Sequence, residues 1–554
     1  MISLKGFWKI TKPFWTSNEK WWAFSLIITC IVLNVIQTYI SVQLNEWNND
    51  FFNALQRFNE QALIHSIVKF FILFVILVLA FGYNSYFLGL LTIRWRRWQT
   101  HYLINHWLMD QRYYFLQLSH LIDNPDQRIS EDIDLLTSTS ASLFFMFVSS
   151  LFTLISFGII LWNLSGSFSF TVHGTLLTIP GYLLWCSFLF TAVATWINHL
   201  IGRKLTALNY NQQKFNADFR YRLIKLRESS EQIALLKGEI SESSTLQKVF
   251  QPIFDNFLTL NITEKNLGFF QTGYNSVTYI FGLLMTIPRF FAEKLSIGYV
   301  MQTSQAFSAF TGSLAIIINS YTAIAEWRAV VFRLLEFETQ IEACQSKQNL
   351  HLNYHDKKSF DFQNLQLLLP NGKVLLEGLN FSFAPHASVL IKAKPGTGKS
   401  VFLRATAGIW PYMAGKIFIP HATRLFLPQR PYLPIDTIAN ILSYPYSSQQ
   451  FTEQELTDAL AQVDLFRLSK QLYTADNWDK KLSPGEQQIL QFAKALLQKP
   501  EWLFLDEASS AIDIQTEATL YRLLKSKLPL TTVISTGHRP SLIELHDIVI
   551  DLNT

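Results

Sequence analysis

The residues best suited to chemistry begin at AKPGTGKS (393–400), where Gly398, Lys399 and Ser400 run together. A glycine, a lysine and a hydroxyl between a strand and a helix make a phosphate cradle. Backbone N–H groups point at the anion, the helix dipole favours it, and the ammonium reaches the outer phosphates. Gly396 and Gly398 let the backbone come close without a Cβ in the way. Lys399 would reach the β/γ-phosphates of ATP, and the Ser400 hydroxyl would bind Mg²⁺. Gly396, Thr397, Gly398, Lys399, Ser400 and Val401 are thus the expected nucleotide-binding segment. Two features depart from the pattern G-x-x-x-x-G-K-[ST]. Ala393 stands where the first glycine belongs, and Pro395 offers no N–H inside the loop.

Further along, EWLFLDE (501–507) leads apolar residues into Asp506 and Glu507. The first acid is suited to organising a metal and the second to activating a water. LSPGEQQ (482–488) is a turn at a helix start, another anion-facing N-terminus, bringing Ser483, Gly485 and Glu486. Pro484 removes one N–H from that turn. Gln429 follows a strand run in FLPQRPYLP, and His538 ends the strand run TTVIST. Taken singly, two acids, a turn or a lone histidine at a strand end would more often be structural. Their order along one chain changes that weighting.

These residues need a scaffold of strands and helices. SVLIKA (388–393) reads as a strand and KSVFLRATAGIW (399–410) as a helix, so the loop lies where a phosphate cradle must. From about residue 355 the pattern alternates strand runs with amphipathic helices, which predicts an α/β layer fold over 359–554. The polar stretch 336–358 reads as a linker.

Residues 1–335 are of another kind. The chain is 49% hydrophobic with 16% charged residues, against about 25% charged in globular domains. Apolar runs of about 20 residues mark membrane spans, and six are expected, near 21–44, 66–92, 141–163, 180–200, 267–288 and 298–323. The formal charge of +5 suits basic residues flanking spans and gives no case for nucleic acid. Arg94, Arg96, Arg97, Arg112 and Arg128 follow the second span, while Arg203, Lys204, Lys214, Arg220, Arg222, Lys225 and Arg227 follow the fourth. The connector NLSGSFSFTVHGT has neither Lys nor Arg. Both termini and both long connectors are therefore expected on the cytoplasmic side. Those connectors run to on the order of 50 residues or more, too long for a tight hairpin, and imply helices projecting beyond the bilayer. The N-terminus, with lysines among Phe7, Trp8, Phe14 and Trp15, reads as an interfacial segment rather than a signal peptide. Three scattered cysteines offer neither a disulfide framework nor a metal spacing. On the last span Ser304, Ser308, Thr311, Ala315, Asn319 and Thr322 share one face. That face either packs closely against another helix or lines a water-filled cavity.

Together the motifs resemble the ATPase cassette of an ABC transporter. AKPGTGKS resembles its Walker A, Gln429 its Q-loop, LSPGEQQ its signature motif, LFLDE its Walker B, SAID (510–513, ending in Asp513) its D-loop, and His538 its switch histidine. NEWNNDFFNALQ (45–56), NPDQRISEDI (124–133), ESSEQIALLKGE (228–239), GIWP (408–411) and LPQRPYLP (427–434) resemble subfamily D and its bacterial SbmA/BacA-like relatives. The resemblance implies a multidomain chain: an all-α six-span membrane domain of exporter type followed by an α/β P-loop ATPase. It implies a half-transporter acting as a homodimer in a lipid bilayer, that of a bacterial inner membrane, with ATP held between the Walker A of one copy and the signature of the other. Catalysis would fall to Glu507 and His538. ATP would be bound by Gly396–Val401, Gln429, Ser483, Gly485, Glu486 and Asp513, and Mg²⁺ by Ser400, Gln429 and Asp506. Substrates in the family include cobalamin, peptides and lipid-like or acyl-CoA molecules. The stretch LQLLLPNGK (365–373), where many such cassettes place an aromatic under adenine, has none, which would leave Leu367, Leu368 and Leu369. The leading expectation is an ATP-driven transporter. The alternatives are an ATP-gated regulator or channel on the same scaffold, and a proton-coupled carrier such as relatives without the cassette.

Overall fold

The computed structural model describes residues 4–119, 124–172, 175–345, 352–394 and 396–552. The chain forms two compact units, Met1–His106 with Asp123–Thr339, and Trp107–Ile122 with Gln340–Thr554.

The first unit is helical, and its helices are long, the longest running on through Pro252 and Pro288. Lys20–Gln56 has 37 residues, Glu60–Leu108 has 49 and Glu239–Glu293 has 55. At 1.5 Å per residue the last spans roughly 80 Å, well beyond a hydrocarbon layer of about 30 Å. Phe71, Ile72, Phe74 and Val75 lie exposed on the second of these, the pattern of a lipid-facing surface. A short antiparallel hairpin, Ser167–Val172 with Thr175–Pro180, joins Ile133–Ser165 to Tyr182–Gly202.

Among the described residues four helical stretches are long and apolar enough to cross a membrane: Lys20–Gln56, Glu60–Leu118, Pro125–Ser165 and Tyr182–Glu228. They contain the first four expected spans. The fifth falls within Glu239–Glu293, and the sixth is broken into Ile297–Leu314, Ile316–Asn319 and the start of Tyr321–Gln345. Several of their polar atoms are satisfied inside the unit. Thr286 donates to Gly282 O at 2.8 Å, Thr311 to Phe307 O at 2.7 Å, and Ser304 to Tyr279 O at 3.1 Å. Asn45 donates to Gln302 O at 2.9 Å. The face left open between packing and a cavity resolves toward packing at Ser304, Thr311 and Ala315, which are buried. A Cβ on Gly282 would meet Ser304 Oγ at 3.2 Å, so the two helices meet there through a missing side chain.

NPDQRISEDI contains a π-helical turn, Arg128–Asp132. Its Asp132 carboxylate, 2% exposed, holds Arg128 at 3.0 Å and Arg333 Nε at 2.9 Å. One buried carboxylate thus ties the start of Ile133–Ser165 to Tyr321–Gln345. That last helix continues into the start of the expected linker 336–358, as far as Gln345, because Val331, Leu334, Phe337, Ile341 and Cys344 form a buried stripe at helical spacing. Leu352–His355 is then already a strand.

The second unit has a five-stranded parallel sheet in the order Ile548–Asp551, Ser388–Lys392, Thr532–Thr536, Trp502–Asp506, Arg424–Leu427. Being covered on both faces, its strands read as continuous apolar runs. Leu503 and Leu505 enter one core with Leu490, Phe492 and Leu496 of the helix Pro484–Gln498. Trp502 and Phe504 enter the other, with Val389, Ile391, Phe402 and Trp410. A four-stranded sheet, ordered Leu352–His355, Met413–Pro420, Phe360–Leu368, Val374–Phe383, closes that second core. The segment 107–122 belongs to this unit: its helix Arg112–Ser119 buries Phe115 and Leu116 and sets Leu118 against the second core.

Candidate nucleotide-hydrolysis site

The sheet order explains why residues far apart in sequence meet. In open parallel sheets ligands bind beyond the carboxyl ends of the strands. Here the strand leading to Lys399 pairs with the strand leading to His538, which pairs with the strand ending in Asp506, which pairs with the strand before Gln429. All four therefore deliver their side chains to one edge.

Gly396 and Gly398 take φ of 83° and 106°, so the loop's left-handed positions fall on its two glycines. Ala393 is not among the residues with positive φ; it is 3% exposed in the core, and its carbonyl accepts from Lys399 Nζ at 3.1 Å. Pro395 lies outside the described residues. Thr397 closes the turn, with Oγ1 donating to Lys394 O at 2.6 Å. Lys399 and Ser400 open the helix Lys399–Thr406, and Val401 sits half-buried in its first turn.

Lys399 Nζ lies against the His538 ring and 3.5 Å from Glu507 Oε1. His538 Nε2 is 3.3 Å from the same oxygen, and Gln429 Nε2 donates to Glu507 Oε2 at 3.1 Å. Glu507 itself is in the left-handed region at φ 48°, with its N–H on Thr536. Ser400 Oγ donates to Asp506 Oδ1 at 3.2 Å, and Thr536 Oγ1 to the same atom at 2.9 Å. A hydroxyl and a carboxylate thus converge, and Gln429, whose amide N–H is taken by Glu507, keeps its carbonyl oxygen. These are hard oxygen donors of the kind Mg²⁺ prefers, and few enough to leave room for water and phosphate.

Ser483, Gly485 and Glu486 form a separate cluster. Ser483 caps the helix Pro484–Gln498 in a reciprocal box with Glu486. The Ser483 N–H, then its hydroxyl and Arg467, hold the Glu486 carboxyl below the usual carboxylate range. Pro484 sits at the first helical position, where its fixed φ suits the helix and its missing N–H has no intrahelical partner to lose. Asp513 caps the helix Ile514–Lys527 with bonds of 3.0 Å from Gln515 and Thr516 N–H; the Thr516 bond dominates in lowering its pKa. Leu367, expected beneath adenine, is instead fully buried in the core; Leu368 and Leu369 remain half-exposed, and Leu375 flanks Gly398.

Three residues that sequence reasoning passed over hold the loops in place. Gln488 donates to Gln429 O at 3.0 Å and accepts from Ala511 N–H at 2.8 Å. Arg539, next to His538, donates to Ser510 O at 2.9 Å and Ile512 O at 2.6 Å. Glu517, its side chain 1% exposed, faces Arg539 at 3.4 Å and accepts from Ser509 and Ser541. The only sequence signal was a charged residue beside each motif, HR and SAIDIQTE, without a visible target.

Comparison with known proteins agrees with this geometry. Residues 10–291 match the family model "ABC transporter transmembrane region 2", and residues 376–510 match "ABC transporter". The chain is 33% identical over 98% of its length, and 96% of the other's, to the inner membrane ABC transporter ATP-binding protein YddA of Escherichia coli. It is 26% identical over 85% of its length, and 82% of the other's, to the lysosomal cobalamin transporter ABCD4 of Mus musculus. Its fold is that of a bacterial Atm1-family ABC exporter solved with ATP bound, at a TM-score of 0.76 and 17% identity over 95% and 93% of the two chains. With a membrane region and an ATPase region each matched on one polypeptide, this chain belongs to the ABC transporter family, as a half-transporter whose ATP hydrolysis drives transport.

Proposed function

We propose that two copies of this chain, each with six spans and cytoplasmic termini, form a homodimeric transporter in a bacterial inner membrane. ATP would lie between Gly396–Val401 of one copy and Ser483, Gly485 and Glu486 of the other, with Asp513 beside the same nucleotide. The observation that carries the reading is the convergence of Lys399, Ser400, Gln429, Asp506, Glu507 and His538 on one sheet edge.

Lys399 then exchanges Ala393 O, His538 and Glu507 for the β- and γ-phosphates. Its release frees Glu507 to accept a proton from the water that attacks the γ-phosphorus, while ADP leaves from the opposite side. His538 turns its ring onto the γ-phosphate. Mg²⁺, held by Ser400, Asp506 and the Gln429 carbonyl, would neutralise developing phosphate charge. Exposed Leu235, Leu236 and Ile240, at the end of ESSEQIALLKGE, are suited to receive the resulting motion.

The substrate class best supported is an amphipathic molecule of the cobalamin, peptide or acyl-CoA kind, of which cobalamin is named for the mouse relative. The test is ATP-dependent accumulation of these compounds in proteoliposomes, with Glu507→Gln as control. Accumulation should stop in that variant; uptake that persists unchanged in it sinks the hydrolysis-driven reading.

A further inference from the structure

The N-terminal helix Leu4–Trp15 covers a cavity of about 490 Å³ walled by Trp8, Trp15, Leu91, Trp95, Leu143 and Phe144. The wall is almost wholly apolar, yet one wall residue carries a polar group without a partner among the described residues: Trp95, 3% exposed, has an Nε1–H with no acceptor. Buried polar atoms without partners mark the place of something the protein itself does not supply. Arg94 adjoins the wall residue Trp95 in sequence. Among the described residues Glu19 is the carboxylate that answers both Arg94, at 3.3 Å, and Arg97, at 2.9 Å, and Arg94 lies over the Trp22 ring at 4.8 Å. Trp8, Trp21 and Trp22 are exposed around it, as aromatic residues are at a membrane interface.

We propose that this cavity binds one acyl chain of an anionic phospholipid, with the ester or phosphate oxygens accepting from Trp95 and the headgroup resting against Arg94 and Arg97. An apolar chain fills the walls, an acceptor meets the orphaned indole N–H, and an anion answers the two guanidiniums that share one carboxylate. A zwitterionic lipid satisfies the first requirement but not the third.

The test uses the full chain, purified and delipidated, with lipid binding followed by thermal unfolding and by native mass spectrometry. Phosphatidylglycerol should stabilise it at concentrations on the order of tenfold below phosphatidylcholine, given two arginines near the headgroup. Inorganic phosphate should do nothing. Leu143→Trp, which fills the cavity, should abolish the bound phospholipid, and the pair Arg94→Gln with Arg97→Gln should erase the preference between headgroups. Trp95→Phe keeps the ring, removes the donor, and should weaken phosphatidylglycerol severalfold. Equal binding of the two lipids by the wild type overturns the proposal. So does phosphatidylglycerol binding undiminished in the arginine pair or in a folded Leu143→Trp, or a free fatty acid that competes as strongly as phosphatidylglycerol.

Discussion

Ala393 keeps an ordinary backbone conformation, its methyl lies in the core, and its carbonyl accepts from Lys399. A glycine there is not required by the fold; it would only add freedom to the unfolded chain and remove a packed methyl. Ala393→Gly should therefore cost about 1 kcal/mol of stability and leave ATPase activity within about twofold. Lys399→Ala should abolish hydrolysis. A large gain in activity from the glycine would show instead that the loop is impaired. The candidate phosphate residues Gly398, Lys399 and Ser400 stood out in the sequence because the residue types of a phosphate cradle are set by chemistry. The buried state of Leu367 was not, since nothing in LQLLLP separates a core leucine from a binding one. Lys494 is a second case of hidden context: burial pulls its pKa down from 10.5 to about 8, with the ammonium 5.1 Å from the Tyr444 ring. Between those two values the unfolded chain binds a proton that the folded chain does not, so stability rises with pH across that window. Lys494→Met should raise the melting temperature at pH 7, an advantage that fades as the pH approaches 10.5. If its melting temperature matches wild type at pH 7, the ammonium is not strained by burial.

The strand–loop–helix units were readable from periodicity and turn residues, since each strand is a short apolar run ending in a functional residue. What periodicity does not give is which loops clamp each other. Arg539 fixes the carbonyls of Ser510 and Ile512, and Glu517 fixes Arg539. The loop after Glu507 is thereby tied to the loop that carries His538, although neither Arg539 nor Glu517 touches the Lys399 cluster. Arg539→Ala should leave two carbonyls without their donor and an uncompensated buried carboxylate. Hydrolysis should fall roughly tenfold through kcat, with nucleotide affinity nearly unchanged, because the phosphate loop itself is untouched. A rise in KM at constant kcat would place Arg539 in nucleotide binding. At the π-turn of the membrane unit, Asp132→Asn strands Arg128 and Arg333 together and should destabilise the unit by about 3 kcal/mol. An unchanged melting temperature would mean that the clamp is replaceable by solvent.

At the scale of the molecule, the division into a helical and an α/β unit follows from composition, since only one half could satisfy its backbone inside lipid. Packing was less legible. The segments expected as fifth and sixth spans spend hydroxyls on carbonyls of their own and neighbouring helices, which hydropathy does not register, and the end of the last helix was masked by polar residues flanking a buried stripe. The proposed dimer is motivated by incompleteness of another kind: Ser483 and Glu486 hydrogen-bond to each other, Glu486 pairs with Arg467, and neither bonds Lys399 among the described contacts. If a nucleotide is held between Lys399 of one copy and Ser483 of its partner, each site of a symmetric dimer draws on both chains. A Lys399→Ala chain and a Ser483→Arg chain are then each inactive alone, because both sites of either homodimer are damaged. Mixed dimers concentrate both lesions in one site and leave the other whole. At equal expression half of the dimers are mixed and one of their two sites is intact, so about a quarter of wild-type sites should return. Trapping of ADP with vanadate counts such sites one by one and does not require both to turn over. A mixture that traps no more nucleotide than either variant alone would mean that each chain completes its own site, and the homodimer sandwich would have to be abandoned.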